Sequence, residues 1–123
     1  MVYVEFSTIS KHFGTSVAVA DLDLQIEQGE FFSLLGPSGC GKSTTLRMLA
    51  GFVKPTTGQI RVNGRNVTAL PPEARDIGIV FQNYAIFPHM TVFDNIAFGL
   101  VERKLPRVEI KQKVDSALAE VGM

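Results

Sequence analysis

Gly36-Pro37-Ser38-Gly39-Cys40-Gly41-Lys42-Ser43 is the stretch on which the fold turns. It fits the pattern G-x-x-x-x-G-K-[ST] of a phosphate-binding loop, a pattern that requires a strand before it and a helix after it. Both are legible. Phe31-Phe32-Ser33-Leu34-Leu35 is a short continuous apolar run, as expected of a parallel strand buried on both faces. Lys42 to Ala50 reads as a helix with Leu46 and Leu49 inward and Gly51 placed to cap its C-terminus. Small residues between the two let the backbone wrap a polyphosphate, so that successive N–H groups and the N-terminal end of the helix point at its oxygens. Lys42 is expected to reach the β- and γ-phosphates, Ser43 to put its hydroxyl on Mg²⁺, and Thr44 to bond the α-phosphate. Cys40 fills a variable position that needs only a small side chain, and no His is placed in sequence to activate it as a nucleophile.

Working outward, Val2, Val4 and Phe6, then Ala18, Ala20, Leu22, Leu24 and Ile26, repeat every second residue and predict two half-buried strands joined by a turn over Lys11 to Ser16. Gln59 to Val62 and Arg65 to Thr68 flank Asn63-Gly64, the pair suited to a tight turn with positive φ at both central residues, so a hairpin is expected, ended by Pro71-Pro72. Ile77-Gly78-Ile79-Val80-Phe81 is a second candidate for a buried strand. Thr91-x-x-Asp94 resembles a capping box ahead of Phe93, Ile96, Ala97 and Leu100 at helical spacing. Pro106 opens a last helix with Val114, Ala117, Leu118 and Val121 on one face.

Composition excludes several classes. The chain of 123 residues is 46% hydrophobic and 20% charged, which is the profile of a chain that folds rather than of a disordered or low-complexity one. Twelve Lys and Arg balance twelve Asp and Glu, so the positive footprint of a nucleic-acid binder is missing and no nucleic acid is expected as a partner. One cysteine makes no internal disulfide, and no Cys/His cluster has zinc spacing, which suits a reducing compartment. The N-terminus lacks the basic and apolar regions of a secretory signal. The charge-free run Ile77 to Phe93 is too short and too polar to cross a bilayer. Neither Asn-Lys-x-Asp nor Asp-x-x-Gly occurs, which argues against a GTPase, whereas on the loop alone a small-molecule kinase stays open.

The remaining segments decide between the classes, because the chain resembles the nucleotide-binding subunits of ABC (ATP-binding cassette) transporters of the importer type. GPSGCGKST followed by LRMLAG is similar to the family's Walker A motif and first helix, and TTGQIRVNGRNVT to the hairpin after it. PPEARDIGIVFQNYAIFPHMTVFDNIAFGL resembles the stretch around the Q-loop, with Gln82 at the glutamine. The likeness is to the cassettes of polyamine, ferric-iron, phosphonate and sugar importers, and leans to the polyamine and iron end.

The resemblance implies an α/β P-loop NTPase fold: an antiparallel β subdomain, part of a parallel RecA-like core and the start of a helical subdomain. It implies ATP and Mg²⁺ as cofactors, held by Gly36, Pro37, Ser38, Gly39, Cys40, Gly41, Lys42, Ser43, Thr44 and Gln82, with Lys42 and Gln82 as catalytic residues and Ser43 and Gln82 on the metal. Phe13 falls where the family sets an aromatic ring against adenine; a surface aromatic packed on the first strands is the plainer reading. Tyr84, Phe87, Pro88, His89 and Met90 fall where a short helix of the membrane-spanning permease docks, although Phe87 has the alternative of packing into the helical subdomain. His89 has no partner ligand in view for a metal site. The implied partners are that permease, a second ATP-binding subunit and, indirectly, a solute-binding protein, at the cytoplasmic face of the inner membrane.

The family's signature, Walker B strand and switch His do not occur in these residues, so residues 1–123 are expected to be the N-terminal part of one nucleotide-binding domain. The whole protein is then a transport ATPase and this stretch alone inactive; a truncated module that binds nucleotide or a partner without hydrolysis is the alternative.

Overall fold

The computed structural model describes residues 1–37, 39 and 41–123, and the chain divides into two compact units, Met1–Ile79 and Val80–Met123. The first unit is built on β1 (Val2–Phe13) and β2 (Ser16–Glu27), followed by helix α1 (Lys42–Ala50) and strands β3 (Thr57–Val62) and β4 (Arg65–Asn66). The strands form one antiparallel sheet in the order β2-β1-β3-β4. The first hairpin is longer than its sequence suggests: Phe13 pairs with Ser16, so Lys11, His12 and Phe13 belong to β1 and only Gly14-Thr15 turn the chain. The alternation along β1 breaks where the register shifts, and there Ile9 and Ser10 are both buried. Two side chains meet the backbone groups freed by this irregularity. Asp23 Oδ1 accepts from the Thr8 N–H at 2.8 Å, and Ser10 Oγ accepts from the Asp21 N–H at 2.9 Å.

The second hairpin follows the sequence closely, with φ of 51° at Asn63 and 78° at Gly64, the two positive values that a type I′ turn demands. Its outgoing strand is shorter than expected, because Thr68 leaves the ladder and its Oγ1 takes the Ile60 N–H at 2.9 Å instead. Phe6, Ile9, Met48, Ile60 and Val67 make the core between sheet and helix. Ile9, Met48 and Ile60 are completely enclosed, and each such side chain contributes about 1.5–3 kcal/mol through removal from water.

Helix α1 turns a different face to this core than its apolar pattern suggests. Thr45, Met48 and Ala50 are buried, while Leu46 is half exposed and Leu49 half-buried. Leu46 and Leu49 instead line a cleft of about 560 Å³ with Phe32, Leu34 and, from the sheet, Phe6 and Leu24. Neither expected buried strand, 31–35 or 77–81, has ladder bonding among the described residues. A parallel strand needs hydrogen-bonded neighbours beside it and helices over both faces. Here Phe31 and Leu35 remain 94% and 92% exposed.

The second unit is a pair of helices, α2 (Val92–Glu102) and α3 (Arg107–Glu120). Thr91 caps α2, its Oγ1 accepting from the Asp94 N–H at 3.0 Å, and Pro106 stands at the N-cap of α3. Ala97 packs on Ile110 and Val114, with Leu100, Leu105 and Leu118 around them. Ala117 and Val121, expected on the inner face, are exposed; Ile110, one turn before Val114, is buried instead.

Candidate nucleotide site

The glycine-rich loop delivers its helix with an open N-terminus. Gly41 is the N-cap of α1 at φ 92°, no side chain caps it, and the first turn holds no acidic residue. The first-turn N–H groups and the positive end of the helix dipole therefore face outward without a competing carboxylate, which suits a polyanion. Gly41 is required here for two reasons. Its φ is left-handed, and a Cβ would stand 2.6 Å from the carbonyl oxygen of Ala18 on β2. Thr45 stiffens the first turn from inside, since its Oγ1 donates to the Gly41 carbonyl at 2.8 Å, alongside its own N–H at 2.9 Å.

Lys42 folds back over the loop, its Nζ donating to the carbonyl of Gly36, which keeps the ammonium at the loop rather than in bulk solvent. Ser43 is exposed and Thr44 half-buried at the same helix end. Gly39 has φ 82°. Ser38 and Cys40, two of the expected contacts, lie outside the described residues.

Contact between Gly41 and Ala18 also brings the tip of the first hairpin to this end of the unit. Val17 and Ser16, next along β2, pair with His12 and Phe13. Phe13 is 51% exposed, and the Lys11 Nζ stands 5.0 Å over its ring centroid, a cation–π contact that holds one ring against free rotation. An exposed, oriented aromatic face beside a phosphate-type loop is what a purine base needs for stacking. The glycine-rich loop, the N-terminus of α1 and this hairpin together define a P-loop type of nucleotide site.

Gln82 and the run after it belong to the second unit. Gln82 does not end a strand. It lies in a turn closed by the Tyr84 N–H donating to the Phe81 carbonyl at 2.9 Å, and its side chain is exposed. Tyr84 and Ala85 follow with φ of 63° and 49°, two successive left-handed non-glycine residues of a kind that concentrates at functional segments. Of the apolar residues expected at the surface, Phe87 is turned inward, its ring 4.6 Å from Phe98 of α2. Met90 is half-buried, whereas Pro88 and His89 are exposed. Tyr84 at 76% and Ile86 at 70% exposure form the outer face.

Sequence reasoning passed over Thr45, Lys11, Ile86, Arg75 and Asn95. Two carried a readable signal: Lys11 is two residues before Phe13 on one strand face, and Asn95 is a poor helix former in the first turn of α2. Arg75 is buried and donates to the carbonyls of Met48 and Leu49 in the last turn of α1, and nothing local to its sequence announces a contact so distant in the chain.

The ABC transporter family profile matches residues 19–123, and the chain belongs to that family. Members of this family bind ATP. Among similar curated proteins are a spermidine/putrescine import ATP-binding protein of Acidothermus cellulolyticus, 59% identical over 93% of this chain and 30% of that protein, and an Fe(3+) ions import ATP-binding protein of Vibrio cholerae, 49% identical over 98% of this chain and 34% of that one. A solved dimeric ATP-binding cassette, in a post-hydrolysis state bound to ADP and Pi, matches with a TM-score of 0.83 at 28% identity, over 94% of this chain and 56% of that chain. This chain thus spans about a third of the length of the curated relatives it matches, and its antiparallel sheet and helices are those of the N-terminal part of a cassette.

Proposed function

We propose that these residues are the N-terminal part of the nucleotide-binding domain of an ABC importer's ATP-binding subunit, and that they hold Mg·ATP for a transport ATPase. The observation that carries this reading is the uncapped, acid-free N-terminus of α1 behind Gly41, with Lys42 folded over the loop and Phe13 at the hairpin tip beside it.

Each residue then has a defined task. Backbone N–H groups from Gly39 to Thr44 bind phosphate oxygens, and Lys42 exchanges the Gly36 carbonyl for the β- and γ-phosphates, losing one neutral acceptor for two charged ones. Gly36 and Pro37 shape the entry to the loop, and Ser38 and Cys40 complete it. Phe13 stacks on adenine. For Mg²⁺ the first unit offers the exposed Ser43 hydroxyl beside the nucleotide's own phosphates and water, the oxygen-rich set this ion favours, and Gln82 is assigned to the ion by the family likeness alone. Mg²⁺ when bound neutralises charge that develops on the phosphoryl group. The Gln82 carboxamide, which both accepts and donates, orients the attacking water.

The partners on this reading are a second ATP-binding subunit, whose surface closes over the nucleotide, and a membrane-spanning permease served by a solute-binding protein. No helix among the described residues is long and apolar enough to cross a membrane. On this reading the solute's path belongs to the permease, and this subunit works at the membrane's cytoplasmic face, where ATP is found. The permease contributes a short apolar helix that seats on Tyr84, Ile86, Pro88 and His89, in a stretch without Asp, Glu, Lys or Arg from Ile77 to Phe93. A polyamine or ferric iron is the solute favoured by the names of the similar import proteins.

Lys42→Ala in the complete protein tests the reading directly. A charge-assisted contact contributes about 1.5–3 kcal/mol, so ATP affinity should fall by roughly ten- to a hundredfold in an equilibrium titration. Unchanged affinity together with unchanged uptake would remove the basis of the assignment.

A further inference from the structure

Asn95, in the first turn of α2, holds the loop before that helix with a single side chain. Its Oδ1 accepts from the Phe87 N–H at 2.8 Å, and its Nδ2 donates to the Phe87 carbonyl at 3.1 Å. The same Nδ2 reaches the Thr91 carbonyl at 2.9 Å and the Met90 carbonyl at 3.3 Å. To Phe87 the carboxamide thus offers the donor and acceptor pair that a neighbouring strand's peptide would offer. No other side chain of this size presents both in one plane: a carboxylate has no donor, and an aliphatic group has neither.

The remaining contacts make the loop a closed unit. The Met90 N–H donates to the Phe87 carbonyl at 3.2 Å, and the Asn95 N–H to the Thr91 carbonyl at 3.0 Å. The Phe87 ring rests on Phe98, with the His89 ring edge-on to it at 6.0 Å. With positions 87 and 90 tied inward, the two residues between them, Pro88 and His89, stand outward next to Ile86.

We propose that Asn95 is the positioning residue of the permease-docking surface: its carboxamide fixes the 87–91 loop so that Ile86, Pro88 and His89 are presented as one rigid face, and coupling depends on it while nucleotide binding does not. This rests on the docking reading given above, and the occupant is the same apolar permease helix. A rigid loop matters because ordering a mobile one on contact costs conformational entropy for each immobilised side chain, which the docked state would otherwise have to offset.

The test uses the assembled transporter with Asn95→Asp and Asn95→Ala, and, as a separate arm, Ile86→Ser. Four quantities are measured: amide hydrogen exchange of the peptide containing Phe87, ATP affinity, solute-dependent uptake and retention of the permease on the cassette. Asn95→Asp sets a carboxylate against three carbonyls and should be the more severe variant. Asn95→Ala is expected to speed exchange at Phe87 at least tenfold, and both variants to cut uptake at least tenfold, with ATP affinity within twofold of wild type. Unchanged exchange overturns the clamp, since the loop would then hold itself. Faster exchange with wild-type uptake overturns the coupling role, and a parallel loss of ATP affinity shows that Asn95 supports the whole domain instead. Ile86→Ser that leaves permease retention on the cassette intact counts against the docking surface itself, whatever Asn95 does.

Discussion

A Cβ on Gly51 would lie 2.7 Å from Nε of Arg75, so the glycine that ends α1 is also the floor on which a buried guanidinium rests. Gly51 has φ 95°, and its N–H donates to the Arg47 carbonyl. Over it Arg75 donates through Nη1 to the carbonyls of Met48 at 2.7 Å and Leu49 at 3.0 Å, through Nε to Leu70 at 2.9 Å and through Nη2 to Thr68 at 3.3 Å. The cation sits at the negative end of the helix whose positive end is the phosphate loop. Burial pushes its pKa below the ordinary guanidinium value, and the surrounding carbonyls accept from the donors that water no longer reaches. Helix α1 and the segment after the second hairpin are thereby fastened at one point.

Gly51→Ala should cost about 2 kcal/mol, because alanine in a left-handed conformation loses about 1–2 kcal/mol and the new methyl also displaces the guanidinium. Chemical denaturation of the complete protein reads this as a lower midpoint. A midpoint equal to wild type would mean that the Arg75 seat relaxes freely.

Arg75→Met keeps the bulk of the side chain and removes every donor. Four carbonyls then lose their partner, two of them at the end of α1, and stability should fall by about 3 kcal/mol. Arg75→Lys should recover only part of this, since an ammonium cannot spread its donors over the same fork. Equal stability of the Lys variant and wild type would show that charge alone, without the fork, is sufficient.

Phe13→Ala should weaken ATP binding by roughly tenfold, the loss expected from about 1–3 kcal/mol of base stacking, while leaving the affinity for inorganic tripolyphosphate within twofold. Lys11→Gln should give a smaller loss of the same pattern, because the ammonium only steadies the ring. If ATP and tripolyphosphate weaken together, the hairpin tip acts on the phosphates and not on the base.

Gln82→Ala should lower uptake and solute-stimulated hydrolysis by at least tenfold and ATP affinity by less than threefold, since the proposed task of the carboxamide arises only when water and metal are lined up for reaction. Comparing a binding isotherm with a steady-state hydrolysis rate is enough to see it. Parallel losses in both would return Gln82 to a purely structural role in its turn.

Sequence alone determined whatever depends on neighbours along the chain. Gly41 at the start of α1, the Asn63-Gly64 turn, the Thr91 cap and the Gly51 stop were all legible, because a backbone angle or a cap is a local demand that a few residue types meet. Tertiary structure decided which apolar face went where. Leu46 and Leu49 match a helical stripe as well as Met48 does, yet the sheet takes Met48 and Thr45 and leaves the leucines to the cleft beside Phe32. The segments 31–35 and 77–81 have the composition of buried strands without ladder bonding here, since strand pairing is a property of two segments and composition describes one. Arg75, which reaches the end of α1, and Asn95, which holds the loop before α2, belong to the same category: each looks like an ordinary polar residue until the fold brings it to its carbonyl partners, and only packing could assign them that task.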